Sequence, residues 1–137
     1  MEKNKNESEI VHNGISENLP AYIKVMEIIR RNIISGMMQP NEKIQSIKEL
    51  AQKYKVNPNT VQRALTALEK EGLLRSHRTA GRYVTENKLL IKSIRNMEAR
   101  KITDEFVAQL RNLAIKPEEL VELFAGPIKT EAQEETA

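Results

Sequence analysis

The segment VNPNTVQRALTALEKEGLL, from Val56 to Leu74, constrains the fold more than any other part of the chain. Asn57 offers a side-chain oxygen that can cap a helix, and Pro58 suits the first helical position, where its missing N–H costs nothing. Gly72 suits a left-handed stop at the other end. The sequence therefore predicts one short helix with both ends defined.

This predicted helix has one apolar face and one polar face. Val61, Ala64, Leu65 and Leu68 recur at helical spacing and predict the buried side. The opposite side carries residue types that contact base edges and phosphates in DNA, namely Asn59, Arg63, Thr66 and Lys70, with Gln62 and Thr60 on its flanks. Amphipathic surface helices with solvated charges are common, so the helix taken alone favours that simpler interpretation.

The segment before this helix favours the DNA-contacting interpretation over an ordinary surface helix. Ser46 and Glu49 match the S-x-x-E capping box, which predicts the start of another short helix. Its apolar face consists of Ile47, Leu50, Ala51 and Tyr54. A turn of only a few residues, Lys55 to Asn57, separates the two helices, and a pair joined so closely is typical of a helix-turn-helix unit.

A basic β-hairpin is predicted directly after this unit. Leu73–His77 and Arg82–Thr85 are strand-like runs, and the loop between them contains Gly81, as a hairpin turn requires. The hairpin carries three arginines and His77 without an acidic residue, which predicts a cationic wing lying along or in a DNA groove. Residues 43–84 have nine lysines and arginines against three acidic residues, a net charge of +6, whereas the whole chain has +3. Glu42–Ile44 is a candidate for a short third strand.

Residues 18–84 resemble the DNA-binding domain of the GntR family of bacterial transcriptional regulators. The resemblance rests on Pro20-Ala21-Tyr22, Ser46 with Lys48-Glu49-Leu50-Ala51, Asn57-Pro58-Asn59-Thr60-Val61 and Glu71-Gly72-Leu73-Leu74. Only about fifty residues follow, and this short helical remainder is similar to the YtrA-type subfamily. The resemblance implies a repressor of its own operon that binds a palindromic operator in double-stranded DNA.

Several positions depart from the family pattern. Ile44-Gln45-Ser46 replaces the usual Leu-Pro-Ser, and Lys48 replaces an arginine that contacts a base in relatives. Because lysine lacks the planar fork of arginine, we expect a weaker or altered base preference at Lys48. In the wing, Thr79-Ala80-Gly81 replaces Gly-x-Gly, so a β-branched residue stands where a glycine backbone approaches the minor groove in relatives.

We assign three kinds of DNA contact to twelve residues. Lys48, Asn59, Gln62 and Arg63 are predicted to read bases. Ser46, Asn57, Thr60 and Thr66 are predicted to hold phosphates. Arg78, Thr79, Gly81 and Arg82 are predicted to contact a groove or the backbone.

The remaining chain predicts a dimerisation domain of two helices, a long one from about Asn87 to Ala114 and a last one opened by Lys116-Pro117 and stopped by Gly126-Pro127. A second copy of the chain is expected to cover the surplus apolar surface of these helices. A dimer is favoured because it contacts two half-sites, whereas a single winged helix contacts too few base pairs to be specific. The alternative is that the long helix folds back on its own winged domain. The predicted interface consists of Leu90, Ile94, Met97, Ile102, Phe106, Leu110, Leu113, Leu120, Leu123 and Phe124.

The predicted fold class is therefore mainly α with a small β-hairpin wing, a winged helix-turn-helix domain followed by a two-helix dimerisation domain. The predicted boundaries are a mobile tail at 1–18, the winged domain at 19–85, the helical domain at 86–126 and an acidic tail at 127–137. No run approaches the roughly twenty apolar residues of a membrane helix, so we expect a cytoplasmic protein without a membrane partner.

Other functions are less well supported by the sequence. The two histidines, His12 and His77, form no metal set or nucleophile pair, and no loop matches a phosphate-cradling motif, so we expect neither an enzyme nor a cofactor. A winged-helix protein-interaction module without specific DNA binding is the alternative that stays open. A small-molecule effector also stays open, although two helices leave little room for a pocket of about 300–1,000 Å³ unless the dimer interface supplies it.

Overall fold

The computed structural model describes residues 18–136, which form five helices and one β-hairpin. In chain order the elements are α1 (Ala21–Ile34), α2 (Ile47–Tyr54), α3 (Pro58–Lys70), β1 (Leu74–His77), β2 (Gly81–Val84), α4 (Lys88–Asn112) and α5 (Pro117–Thr136). The predicted N-terminal tail, apart from its last residue, lies outside the described residues. The chain divides into two compact units, one up to Asn96 and one from Met97.

The helix-turn-helix prediction is confirmed by the caps of α2 and α3. The Ser46 hydroxyl accepts a hydrogen bond of 3.1 Å from the Glu49 backbone N–H, and Asn57 Oδ1 accepts one of 2.8 Å from the Asn59 N–H. The Glu49 carboxylate differs from the usual capping box, because it accepts a bond from the Ser46 hydroxyl, with Oγ and Oε1 3.1 Å apart. The glycine-free turn is possible because Lys55 takes the left-handed conformation, at φ 55°, while Val56 N–H bonds the Ala51 carbonyl.

The core of the winged unit lies between α1, α2, α3 and the hairpin. All four residues predicted for the buried side of α3 are at most 1% exposed, and they pack with Val25, Ile29 and Ile33 of α1. Leu73, Leu74 and Val84 close this core from the hairpin side. The inner face of α3 is therefore fully occupied, and its polar face is turned outward.

An ion cluster also holds the end of α3 against α1. Arg30 is buried, its Nε lies 3.0 Å from Glu71 Oε2, and its guanidinium contacts Glu27 as well. Glu71 directly follows α3 as its C-cap residue. Because the carboxylates neutralise and hydrogen-bond the buried guanidinium, the cluster links two helices without leaving an unpaired charge inside.

The wing is a two-stranded antiparallel hairpin with Leu74 opposite Val84 and His77 opposite Gly81. Gly81 has φ +87°, a conformation that favours glycine over other residues. The predicted third strand at Glu42–Ile44 is reduced to a single bridge from Lys43 to Tyr83, supported by the bond from Val84 N–H to the Glu42 carbonyl at 2.8 Å. This bridge fastens the wing to the segment just before α2.

The first turns of α4 belong to the winged unit. Asn87 Oδ1 accepts a hydrogen bond of 3.1 Å from Leu90 N–H, which starts the helix, and Ile91 and Ile94 pack against the winged core. A Cβ added at Gly72 would lie 3.1 Å from Leu90 Cδ2. The long helix was expected from about 87 to 114 and is observed close to those bounds.

The second unit contains the rest of α4 and α5. Ala114 has φ 57° in the turn between them, Lys116 N–H donates to Glu119 Oε2 at 2.9 Å, and the rings of Phe106 and Phe124 meet edge to face at 5.3 Å. The prediction that Gly126-Pro127 stops the last helix is wrong, because α5 continues to Thr136 with Pro127 inside it. Proline removes one N–H but keeps a helical φ, and the residues after it, rich in Glu, Ala and Gln, favour helix.

Candidate nucleic-acid interface

The outward face of α3 carries three of the four side chains predicted to read bases. Asn59, Gln62 and Arg63 are exposed, while Thr60 and Thr66 are half-buried beside them. The Thr66 hydroxyl donates a 2.8 Å bond to the Gln62 carbonyl of its own helix. In this conformation Thr66 could contact a phosphate only after its hydroxyl turned away. The Gln62 side chain is held more weakly, by a bond of 3.5 Å from its Nε2 to the Thr66 hydroxyl.

A residue that sequence reasoning did not assign to the site lies beside Arg63. The guanidinium carbon of Arg63 lies 3.8 Å from the centre of the Tyr22 ring. Tyr22 is in the first turn of α1 and was noted in the sequence only as part of the Pro20-Ala21-Tyr22 segment, without a predicted DNA contact. Forty-one positions separate the two residues in the sequence, so only the packing of α1 on α3 brings them together. No local pattern in the sequence signals this pair.

The start of α2 and the wing form a second part of the surface. An open cleft of about 750 Å³ is lined by Ser46 and Lys48 on one side and by Thr79, Gly81 and Arg82 on the other. Five of the twelve assigned residues therefore line one cleft. Of the other seven, six lie at the cap and along the outer side of α3, and Arg78 lies in the exposed turn of the wing.

The wing is less cationic than its own sequence suggests. Arg82 Nε lies 2.6 Å from Glu69 Oε1 of α3, and Arg75 Nη2 lies 3.2 Å from Glu86 Oε1 beyond β2. Glu69 also accepts a bond from the Ser76 hydroxyl. The hairpin has no acidic residue of its own, as the sequence shows, but acids from flanking elements pair with Arg75 and Arg82, so the cationic character lies mainly at its tip. Arg78 is the wing arginine that contacts no carboxylate in the part of the chain that the structure describes.

The network around Glu69 stabilises its charged form. Burial by itself raises the pKa of the Glu69 carboxyl, but the hydrogen bonds from Ser76 and Arg82, with the charge of Arg82, outweigh burial and lower the pKa below its usual range. The carboxylate thereby connects the last turns of α3 to both strands of the wing. A protonated Glu69 would weaken that connection.

We predict that Glu69→Gln destabilises the protein at neutral pH by an amount that shrinks in acid. A carboxyl with a lowered folded-state pKa contributes stability above its unfolded pKa of about 4.3 and loses it as the pH falls through the folded-state value. Urea unfolding of both proteins between neutral pH and acid measures the difference. Glu86→Gln is the control, since the exposed pair with Arg75 contributes only about 0–1 kcal/mol. A Glu69→Gln deficit that is independent of pH would contradict this account.

The described residues were expected to include no metal site, histidine pair or membrane-spanning helix. Among residues 18–128, whose side chains the structure describes, no group of three His, Cys, Asp or Glu could hold a metal ion. His77 packs edge to face on Tyr83 at 5.2 Å, and His12 lies outside the described residues. No helix in the same range combines the length and apolar character needed to cross a membrane.

Comparison with known proteins agrees with this surface. The model of bacterial regulatory proteins of the gntR family matches residues 21–84. A solved GntR family transcriptional regulator from Listeria monocytogenes is 31% identical with a TM-score of 0.75, and the match covers 81% of this chain and 97% of that one. The HTH-type transcriptional regulator YhcF of Bacillus subtilis is 27% identical over 80% of this chain and 91% of its own length. The HTH-type transcriptional repressor YtrA of the same organism is 37% identical over 50% of this chain and 52% of its own length.

The first two matches each cover about four fifths of this chain and so extend past the wing into α4, whereas the YtrA match is limited to about half of each protein. The described fold has the helix-turn-helix and the wing that the matched segment predicts, with the hairpin directly after α3. The chain belongs to the GntR family of bacterial regulatory proteins.

Proposed function

We propose that this protein is a sequence-specific DNA-binding transcriptional regulator. The observation that carries the proposal is the division of α3 into a fully buried apolar side and an exposed side with Asn59, Gln62 and Arg63. These side chains have the donor and acceptor patterns that pair with adenine and guanine in the major groove. The relatives named above are transcriptional regulators and a repressor, and none is an enzyme.

The roles of the individual residues follow from their positions. Lys48, Asn59, Gln62 and Arg63 read bases, with Lys48 entering from the start of α2. The caps Ser46 and Asn57, with Thr60 in the first turn of α3, hold phosphates near helix N-termini, where the helix dipole favours anions. Thr66, in the middle of α3, holds a phosphate once its hydroxyl turns away from the Gln62 carbonyl. Arg78, Thr79 and Gly81 contact the DNA backbone or groove from the wing. Arg82 joins this contact and, through the bond from its Nε to Glu69, also orients the wing.

A homodimer on a palindromic operator completes the proposal. Ile102, Phe106 and Leu113 are 55%, 38% and 71% exposed on one side of α4, and Val121 and Leu123 are exposed on α5. Apolar residues so exposed on neighbouring helices favour a partner, and a second copy satisfies the two-fold symmetry of an operator. Leu90 and Ile94 contact the winged unit already, so the interface begins further along α4.

The regulated process is proposed from the resemblance to YtrA-type proteins. Repression of its own operon is the default role, which requires a cytoplasmic protein. A small-molecule effector would have to use space provided by the dimer interface. The chief alternative remains a protein-interaction module, which predicts no preference among DNA sequences.

The test begins with selection of duplexes by the wild-type protein from a random-sequence library. We expect a palindromic sequence to be enriched, because two equivalent recognition helices read two half-sites. The selected operator and a scrambled duplex are then titrated at several salt concentrations. If each protomer neutralises about three to five phosphates, the log–log slope of affinity against salt should lie near −5 to −9.

The two proposed classes of function give different results in this titration. A regulator should retain operator binding at physiological salt after binding to the scrambled duplex has faded. Failure to enrich any sequence, or equal decay on both duplexes, would reject the regulator and favour the interaction module.

A further inference from the structure

We propose that Tyr22 is a positioning residue for base reading, because its ring holds the Arg63 guanidinium in place while leaving its N–H groups free for DNA. This inference rests on the proposed function of α3. It adds a residue from α1, outside the helix-turn-helix, to the determinants of sequence preference.

The geometry of the pair supports stacking. The Arg63 guanidinium carbon lies 3.8 Å from the Tyr22 ring centre, well within the distance of about 6 Å at which a cation is attracted to an aromatic face. Tyr22 is half-buried at the start of α1, and α1 packs directly on α3 through the core. The ring is therefore a fixed surface, whereas the exposed arginine side chain would otherwise rotate freely.

Other arginines of the winged unit use their N–H donors on carboxylates within the protein, whereas Arg63 does not. Arg30 uses its N–H donors on Glu27 and Glu71, and Arg82 uses its Nε on Glu69. Among residues 18–128, whose side chains the structure describes, Arg63 has no hydrogen-bond or ion-pair partner. Stacking engages the flat face of the guanidinium, so the donors along its edge stay available for guanine O6 and N7.

The restraint of the Arg63 side chain by Tyr22 should lower the conformational entropy that is lost on binding DNA. A long side chain loses rotamer freedom when it makes a defined contact, and a side chain already restrained in a suitable geometry loses less. The ring should therefore strengthen the specific complex more than the non-specific one, since only the specific complex requires one geometry of Arg63. Tyr22 acts through Arg63 and need not contact DNA itself.

The experiment compares Tyr22→Leu, which removes the ring, with Tyr22→Phe, which keeps the ring and removes the hydroxyl. Both are measured on the selected operator and on operator variants with single base-pair changes, alone and together with Arg63→Ala. Thermal unfolding of each variant confirms that the winged unit stays folded. NMR of the Arg63 side chain provides a second measurement, because a ring at this distance shifts the δ protons upfield.

We expect Tyr22→Leu to weaken operator binding about 3- to 10-fold and to reduce discrimination at the base pair that Arg63 reads. Tyr22→Phe should stay close to wild type, and Tyr22→Leu should cause no further loss once Arg63 is alanine. The upfield shift should persist in Tyr22→Phe and vanish in Tyr22→Leu.

Several results would overturn the inference. If Tyr22→Phe lost as much affinity as Tyr22→Leu, the hydroxyl and not the ring would matter. Equal losses on operator and scrambled duplex, or a full further loss in the Arg63→Ala background, would assign Tyr22 to general packing or charge. If the wild-type protein enriches an operator and Tyr22→Leu binds that operator with the same affinity and discrimination, only this inference fails. If the wild-type protein enriches no sequence, the proposed function fails as well.

Discussion

Replacing Ile102 and Leu113 together by aspartate is expected to convert the protein from a dimer to a folded monomer. Both side chains are exposed in the single chain and lie on the same side of α4, so the change costs the monomer little. In a dimer that buries them, each protomer would place two unpaired carboxylates in an apolar interface. An uncompensated buried charge costs about 3–5 kcal/mol, which weakens association by more than about a hundredfold.

Sedimentation at micromolar concentration measures the change in oligomeric state, and circular dichroism shows whether the helices persist. Ala108→Asp is a matched control, because this exposed position lies on another face of the same helix, more than about 100° away by helical periodicity. The control should remain dimeric. A wild-type protein that is monomeric yet binds its operator tightly would remove the dimer proposal, and so would a double variant that stays dimeric.

Arg63→Ala is expected to lose about 1–3 kcal/mol of operator binding and to relax the preference at one base pair, as for a bidentate contact with guanine. Arg63→Lys separates this contact from charge alone. Lysine keeps the charge but lacks the planar fork, so it should retain binding to scrambled duplex while losing most of the discrimination.

The control is Lys53→Ala, which removes an exposed cation from α2. It should weaken all duplexes equally or have little effect. Titrations of each variant on the operator, its single base-pair variants and the scrambled duplex give the comparison. Equal, sequence-independent losses from Arg63→Ala and Lys53→Ala would mean that the outer face of α3 is only an electrostatic surface.

The sequence alone predicted the winged unit well because its signals are local. The caps at Ser46 and Asn57 involve residues two or three positions apart, and the four buried residues of α3 follow helical periodicity. The third strand and the end of α5 were harder to predict. A single bridge at Lys43 depends on the position of β2, and Pro127 does not interrupt a helix whose flanking residues favour that conformation.

Within the candidate site, the sequence determined which side chains α3 exposes, since burial of Val61, Ala64, Leu65 and Leu68 turns the others outward. Tertiary structure alone decided which arginines have free donors. Glu69 pairs with Arg82, and Tyr22 stacks on Arg63, because the packing of the wing and of α1 on α3 brings distant residues within contact distance. Periodicity describes one element at a time, and such contacts depend on how separate elements meet in the core.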